Sequence, residues 1–136
     1  MSHHPARALL AAALLVGLAA CGGDDAPAVS GPTAAGVAPG ATLVGEVGTK
    51  DKPEAFEITL KDAAGANVTT LPAGDYTIKV MDYATIHNFV LSGDGVDEET
   101  SVPEKEEATF SVSLKAGTYT FVCGPHPNMK GEITVT

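Results

Sequence analysis

From about residue 42 to the C-terminus, apolar side chains recur at every second position in short runs. This period narrows the choice of fold sharply, because it sends successive side chains to opposite faces of a half-buried strand. Phe56, Ile58 and Leu60 alternate with Glu57, Thr59 and Lys61, and Tyr76, Ile78 and Val80 alternate with Thr77 and Lys79. Phe110, Val112 and Leu114 alternate with Ser111, Ser113 and Lys115. His87, Phe89 and Leu91 share one face of a further run, as do Tyr119, Phe121 and Cys123, and Ile133 and Val135 close the chain. Turn signals separate the runs at Ala63-Ala64-Gly65, Pro72-Ala73-Gly74, Ser92-Gly93-Asp94-Gly95 and Ala116-Gly117. The pattern predicts one all-β domain over residues 42–136, an antiparallel β-sandwich of seven or so short strands. Residues 97–107 are acidic and carry Pro103, so they read as a loop. Leu71-Pro-Ala-Gly-Asp-Tyr-Thr echoes Leu114-Lys-Ala-Gly-Thr-Tyr-Thr, and both read as a tight turn that delivers an inward tyrosine.

The first 41 residues have a different character. Arg7 precedes an uncharged apolar run, Ala8 to Ala20, which is too short for the ~20 residues that span a bilayer. Its length suits a signal peptide over residues 1–20. Leu18-Ala19-Ala20-Cys21 resembles the bacterial lipoprotein signal, which implies cleavage before Cys21 and lipid on that cysteine. Two or more acyl chains would anchor the protein stably where one would not. Residues 21–41 are rich in Gly, Pro and Ala and have no periodic apolar face, so they read as a flexible linker. A linker of that length typically spans ~25 Å.

The formal net charge of −9 argues against nucleic acid, whose phosphates call for a basic surface. A basic protein partner fits better. Seven acids, Asp94, Asp97, Glu98, Glu99, Glu104, Glu106 and Glu107, crowd residues 94–107 against the single Lys105. They read first as a solvated loop and second as a patch that steers a basic redox partner such as a cytochrome c. Ordered calcium-loop spacing is missing.

The chemistry-bearing stretch is Thr118 to Ile133, TYTFVCGPHPNMKGEI. Cys123, His126 and Met129 stand at intervals of three, with Pro125 and Pro127 flanking His126. Upstream, His87 lies in Ile86-His87-Asn88-Phe89. His87, His126 and Cys123 are the only histidines and the only cysteine after the leader and Cys21. Each has a bland reading when taken singly: a core histidine, a loop histidine, a buried thiol, a core-filling methionine. Taken together, a thiolate, two imidazoles and a thioether are the donors of a trigonal copper site with a weak axial ligand. Zinc prefers stronger donors than a thioether. Cys-x-x-Cys-His, which attaches haem, is absent from the sequence.

The His87-Asn88 pair followed by Cys123-x-Pro-His-Pro-x-Met129 resembles the cupredoxins, within them the pseudoazurin, amicyanin and plastocyanin type. The resemblance covers residues 42–136. It implies an eight-stranded Greek-key sandwich, one copper ion, one-electron transfer, and the ligands His87, Cys123, His126 and Met129. The two-residue gap between His126 and Met129 matches the short-loop members. Asn88 would lie beside the ligands, its backbone N–H toward the Cys123 sulfur and its side chain tying the ligand loops together. His126 would be the electron port. The whole reading is a monomeric, lipid-anchored, extracytoplasmic electron carrier on a bacterial membrane. The alternative is a copper trafficking or storage protein, which would favour an open, exchangeable Met- or His-rich cluster. A copper enzyme would need further copper sites, which two histidines cannot supply.

Overall fold

The computed structural model describes residues 36–136. Residues 1–20, read above as a signal peptide, Cys21 and the expected linker as far as residue 35 lie outside the described residues. Among the described residues there are nine strands: β1 (Thr42–Val47), β2 (Ile58–Lys61), β3 (Thr70–Leu71), β4 (Gly74–Asp82), β5 (Val90–Gly93), β6 (Val96–Glu99), β7 (Glu106–Leu114), β8 (Gly117–Val122) and β9 (Lys130–Val135). There is no helix among the described residues.

The strands form a four-stranded sheet, order β2-β1-β4-β7, and a five-stranded sheet, order β3-β9-β8-β5-β6. The apolar alternation does what period two predicts. β4 buries Tyr76, Ile78 and Val80, β7 buries Phe110, Val112 and Leu114, and β8 buries Tyr119 and Phe121. Together with Leu43, Leu60, Leu71, Phe89, Leu91, Ile133 and Val135 they make one core. Burying each large side chain contributes roughly 1.5–3 kcal/mol.

Four features depart from the sequence reading. Seven or so strands become nine, the short β3 among them. Two pairings are parallel, β1 with β4 and β3 with β9, because chain segments cross between the layers before returning. Residues 97–107 are not one loop, because 97–99 belong to β6 and Glu106 and Glu107 open β7. Asp94-Gly95, with Gly95 at φ 73°, makes a two-residue turn that pairs β6 antiparallel with β5. β6 is the sheet's outer edge, and its acids guard that edge against pairing with another chain. Phe56 is not inward-facing: β2 starts only at Ile58, and Phe56 is 63% exposed in the loop before it.

The sequence echo is a real repeat of turn geometry. Gly74 and Gly117 share φ values of 153° and 154°, a backbone that side chains resist. Each launches a strand with a buried tyrosine whose hydroxyl bonds four residues back. Tyr76 Oη donates to the Pro72 carbonyl at 2.8 Å, and Tyr119 Oη accepts from the Lys115 N–H at 2.9 Å. Residues 36–41 lie along the sandwich, with the Gly40 N–H donating to the Asp75 carbonyl at 2.7 Å.

Candidate metal centre

Two connections at one end of the sandwich carry the predicted donors. The β4–β5 segment carries His87, and the β8–β9 loop carries Cys123, His126 and Met129. That second loop is closed by its own backbone. The His126 N–H donates to the Cys123 carbonyl (3.1 Å), the Met129 N–H to the His126 carbonyl (2.8 Å), and the Cys123 N–H to the Met129 carbonyl (2.9 Å). The hydrogen bonds link the same three residues that carry the predicted side-chain donors, so loop closure and donor placement are one event. Pro125 and Pro127 restrict the backbone on both sides of His126.

The ligand atoms of His87, Cys123 and His126 all lie within 4.8 Å of one another. His87 Nδ1 and His126 Nδ1 approach to 2.9 Å, and each is 3.5 Å from Cys123 Sγ. A triangle with those sides has its centre about 1.9 Å from each corner, close to the ~2.0–2.3 Å of nitrogen and sulfur bonds to a transition ion. His87 and Cys123 are fully buried, Met129 is buried, and His126 is half-buried. Burial of a thiol among imidazoles suits a soft transition ion and disfavours hard oxygen-seeking cations.

A buried polar chain holds the two segments together. Asn88 Oδ1 accepts the Gly124 N–H at 2.8 Å, which ties the His87 segment to the residue after Cys123. Asn88 Nδ2 donates to the Thr100 carbonyl at 3.3 Å. Thr100 Oγ1 accepts the Phe89 N–H (2.8 Å) and donates to Asp82 Oδ2 (2.7 Å). Asp82 Oδ1 accepts the Ala84 N–H at 3.1 Å. Burial raises the Asp82 carboxyl above its ordinary value, and the Thr100 hydroxyl and Ala84 N–H pull against that shift. The Asn88 side chain thus bridges the two segments.

Sequence reasoning misses Asp82, Thr100 and Phe56. Asp82 is detectable, because it continues the inward positions 76, 78 and 80 of β4, where an acid needs a partner. Thr100 sits inside the acidic 94–107 stretch, directly after Asp97-Glu98-Glu99, and gives no signal. Phe56 lies edge-on to both imidazoles, with centroids 4.9 Å from His87 and 4.7 Å from His126.

A two-layered β-sandwich that gathers two imidazoles and a thiol between adjacent end loops belongs to the class of small metal-binding β proteins. The chain is a member of the cupredoxin-like family, whose domain profile matches residues 33–135. Amicyanin-alpha of Methylorubrum extorquens is 34% identical over 107 residues, covering 60% of this chain and 90% of that protein. Among solved structures, the copper protein rusticyanin aligns at 19% identity over 70% of this chain and 76% of its own, with a TM-score of 0.48. The reduced Cu(I) form of an amicyanin variant aligns at 27% identity over 81% and 95%, with a TM-score of 0.40.

Proposed function

We propose that this protein is a one-electron carrier that holds a single copper ion through His87, Cys123, His126 and Met129. The convergence of two Nδ1 atoms and Sγ carries the reading. Membership of the cupredoxin-like family and the likeness to amicyanin-alpha support it. Bound copper would supply a Cu(II)/Cu(I) couple, and Met129 would offer it a thioether, a weaker donor than imidazole or thiolate. The chain's part is to keep the donors still. The closed 123–129 loop and the Asn88–Thr100–Asp82 chain leave them little room to rearrange, which keeps the barrier to electron exchange low. His126 is the half-buried donor, and exposed Gly124, Pro125 and Pro127 surround it, so a partner approaching this end meets it first. A basic partner such as a cytochrome c fits the acidic surface, and its exchange rate should fall as salt is raised.

Titration with Cu(II) tests the reading. The expected result is an intense visible band at one copper per chain and reversible redox cycling. A colourless protein that yields Cu(I) to a chelator within minutes would instead point to trafficking or storage.

We also propose that residues 1–20 direct export, that Cys21 is lipidated, and that the residues after it tether the domain to the outer face of a bacterial membrane. Metabolic labelling with a fatty-acid analogue should mark the parent protein. Cys21→Ser should lose the label and leave the membrane fraction. Label retained by that variant would end the tethering proposal.

A further inference from the structure

Phe56 is the large exposed aromatic of the described residues, yet its ring belongs to the metal centre. Phe56, His87 and His126 form a closed set of three edge-to-face contacts. Centroids are 4.9 Å apart for Phe56–His87, 4.7 Å for Phe56–His126 and 4.7 Å for His87–His126, with planes crossing at 77°, 68° and 69°. Edge-to-face pairs at such distances are attractive beyond the area they bury. His87 is also held by its burial and by its neighbour Asn88. His126 sits on the exposed side of its loop, and Phe56 packs on its ring alongside His87.

The connection between β1 and β2 is built to hold this ring in place. Gly48 opens it at φ 66°, where an added Cβ would fall 2.0 Å from the Pro53 carbonyl oxygen. The Gly48 N–H donates to the Glu57 carbonyl (2.9 Å), which closes the loop at its base. Thr49 and Lys52 exchange backbone bonds of 3.0 and 3.2 Å. The Glu57 N–H donates to the Ala55 carbonyl (2.8 Å), a tight turn centred on Phe56. Glu54 Oε1 accepts from the Thr85 N–H and hydroxyl at 3.4 and 3.3 Å, tying the loop to the segment that carries His87. A solvent-exposed phenylalanine on so constrained a loop needs a reason beyond the core, to which it adds nothing.

We propose that Phe56 is a positioning residue of the centre: it braces the His126 imidazole in its ligating orientation and covers the outer edge of both rings, which slows loss of the ion. The proposal rests on the copper reading above. Phe56 touches the ligand rings and not the ion, so it acts through them.

The test uses copper-loaded protein, reduced with ascorbate and exposed to a bathocuproine chelator that captures Cu(I). A visible and electron paramagnetic spectrum of the oxidised form is recorded in parallel. Phe56→Ala should release copper about tenfold faster and shift the relative intensities of the visible bands, because the His126 ring can turn. Phe56→Tyr keeps the ring edge and should restore both readouts. Glu54→Ala removes the acceptor that ties the loop to Thr85 and should move the release rate in the same direction. All three changes lie on exposed side chains, so folding is preserved, and the thermal midpoint checks that. A Phe56→Ala protein with parental release rate and parental spectrum would overturn the proposal. A parent protein that develops no visible band would instead sink the copper reading.

Discussion

Copper-loaded Cys123→Ser is expected to lack the intense visible band of the parent protein and to bind the ion more than ~100-fold more weakly. Changes to groups that only orient ligands already cost ~10–100-fold in affinity, and this change removes the sulfur itself. The band depends on electron donation from a soft thiolate, which a serine hydroxyl cannot supply. Cys123 is fully buried, and its Sγ is the corner of the donor triangle that both imidazole nitrogens face at 3.5 Å. Serine is close in size, and the Cys123 backbone bonds to His126 and Met129 do not use the side chain, so the loop stays closed. Loss of colour is therefore separable from loss of fold. A titration with Cu(II), followed by absorbance and by denaturation midpoint, reads both. A serine variant with the full band would show that the donor set is wrong.

Phe89→Ala should be the most damaging single core change, lowering the stability of the domain by about 3–5 kcal/mol. Total stabilities of ~5–15 kcal/mol make that a large fraction. Phe89 is fully buried between the layers, stacked on Phe121 at 5.9 Å and tilted against Phe110 at 6.4 Å. Its ring also fills the space above Gly45, where an added Cβ would sit 2.9 Å from the ring. Neighbours on both sheets would have to move inward to refill the gap, and the pairing of β1 with β4 prevents that. The Phe89 backbone N–H and carbonyl both bond to Thr100, so slackening here also loosens the support of Asn88 beside His87. Urea denaturation should show a lower midpoint with an unchanged slope. A loss under about 1 kcal/mol would mean that the core refills and that Phe89 does not key the layers together.

Much of the candidate site is legible in the residues alone. Cys123, His126 and Met129 fall within seven consecutive residues, and a closed loop of that length can bring few other side chains together. His87 is harder to place, 36 positions upstream of Cys123, and only its motif links it to them. Period two misplaces Phe56, because Phe56, Ile58 and Leu60 keep the alternation across the point where the strand begins, and alternation does not mark its own boundary. The Asp94-Gly95 hairpin is visible as a turn, but the acids after it mask the strand.

Spacing along a few consecutive residues is enough to set which face of β4, β7 and β8 is buried and which donors sit on the β8–β9 loop. Other features arise only when the whole chain packs. β1 runs parallel to β4, Asp82 and Thr100 brace Asn88 behind the donors, and the β1–β2 loop lays Phe56 against two imidazoles. Those are meetings of segments far apart in the chain. They are selected by packing of the entire core, and a period read along one strand carries no information about its partner.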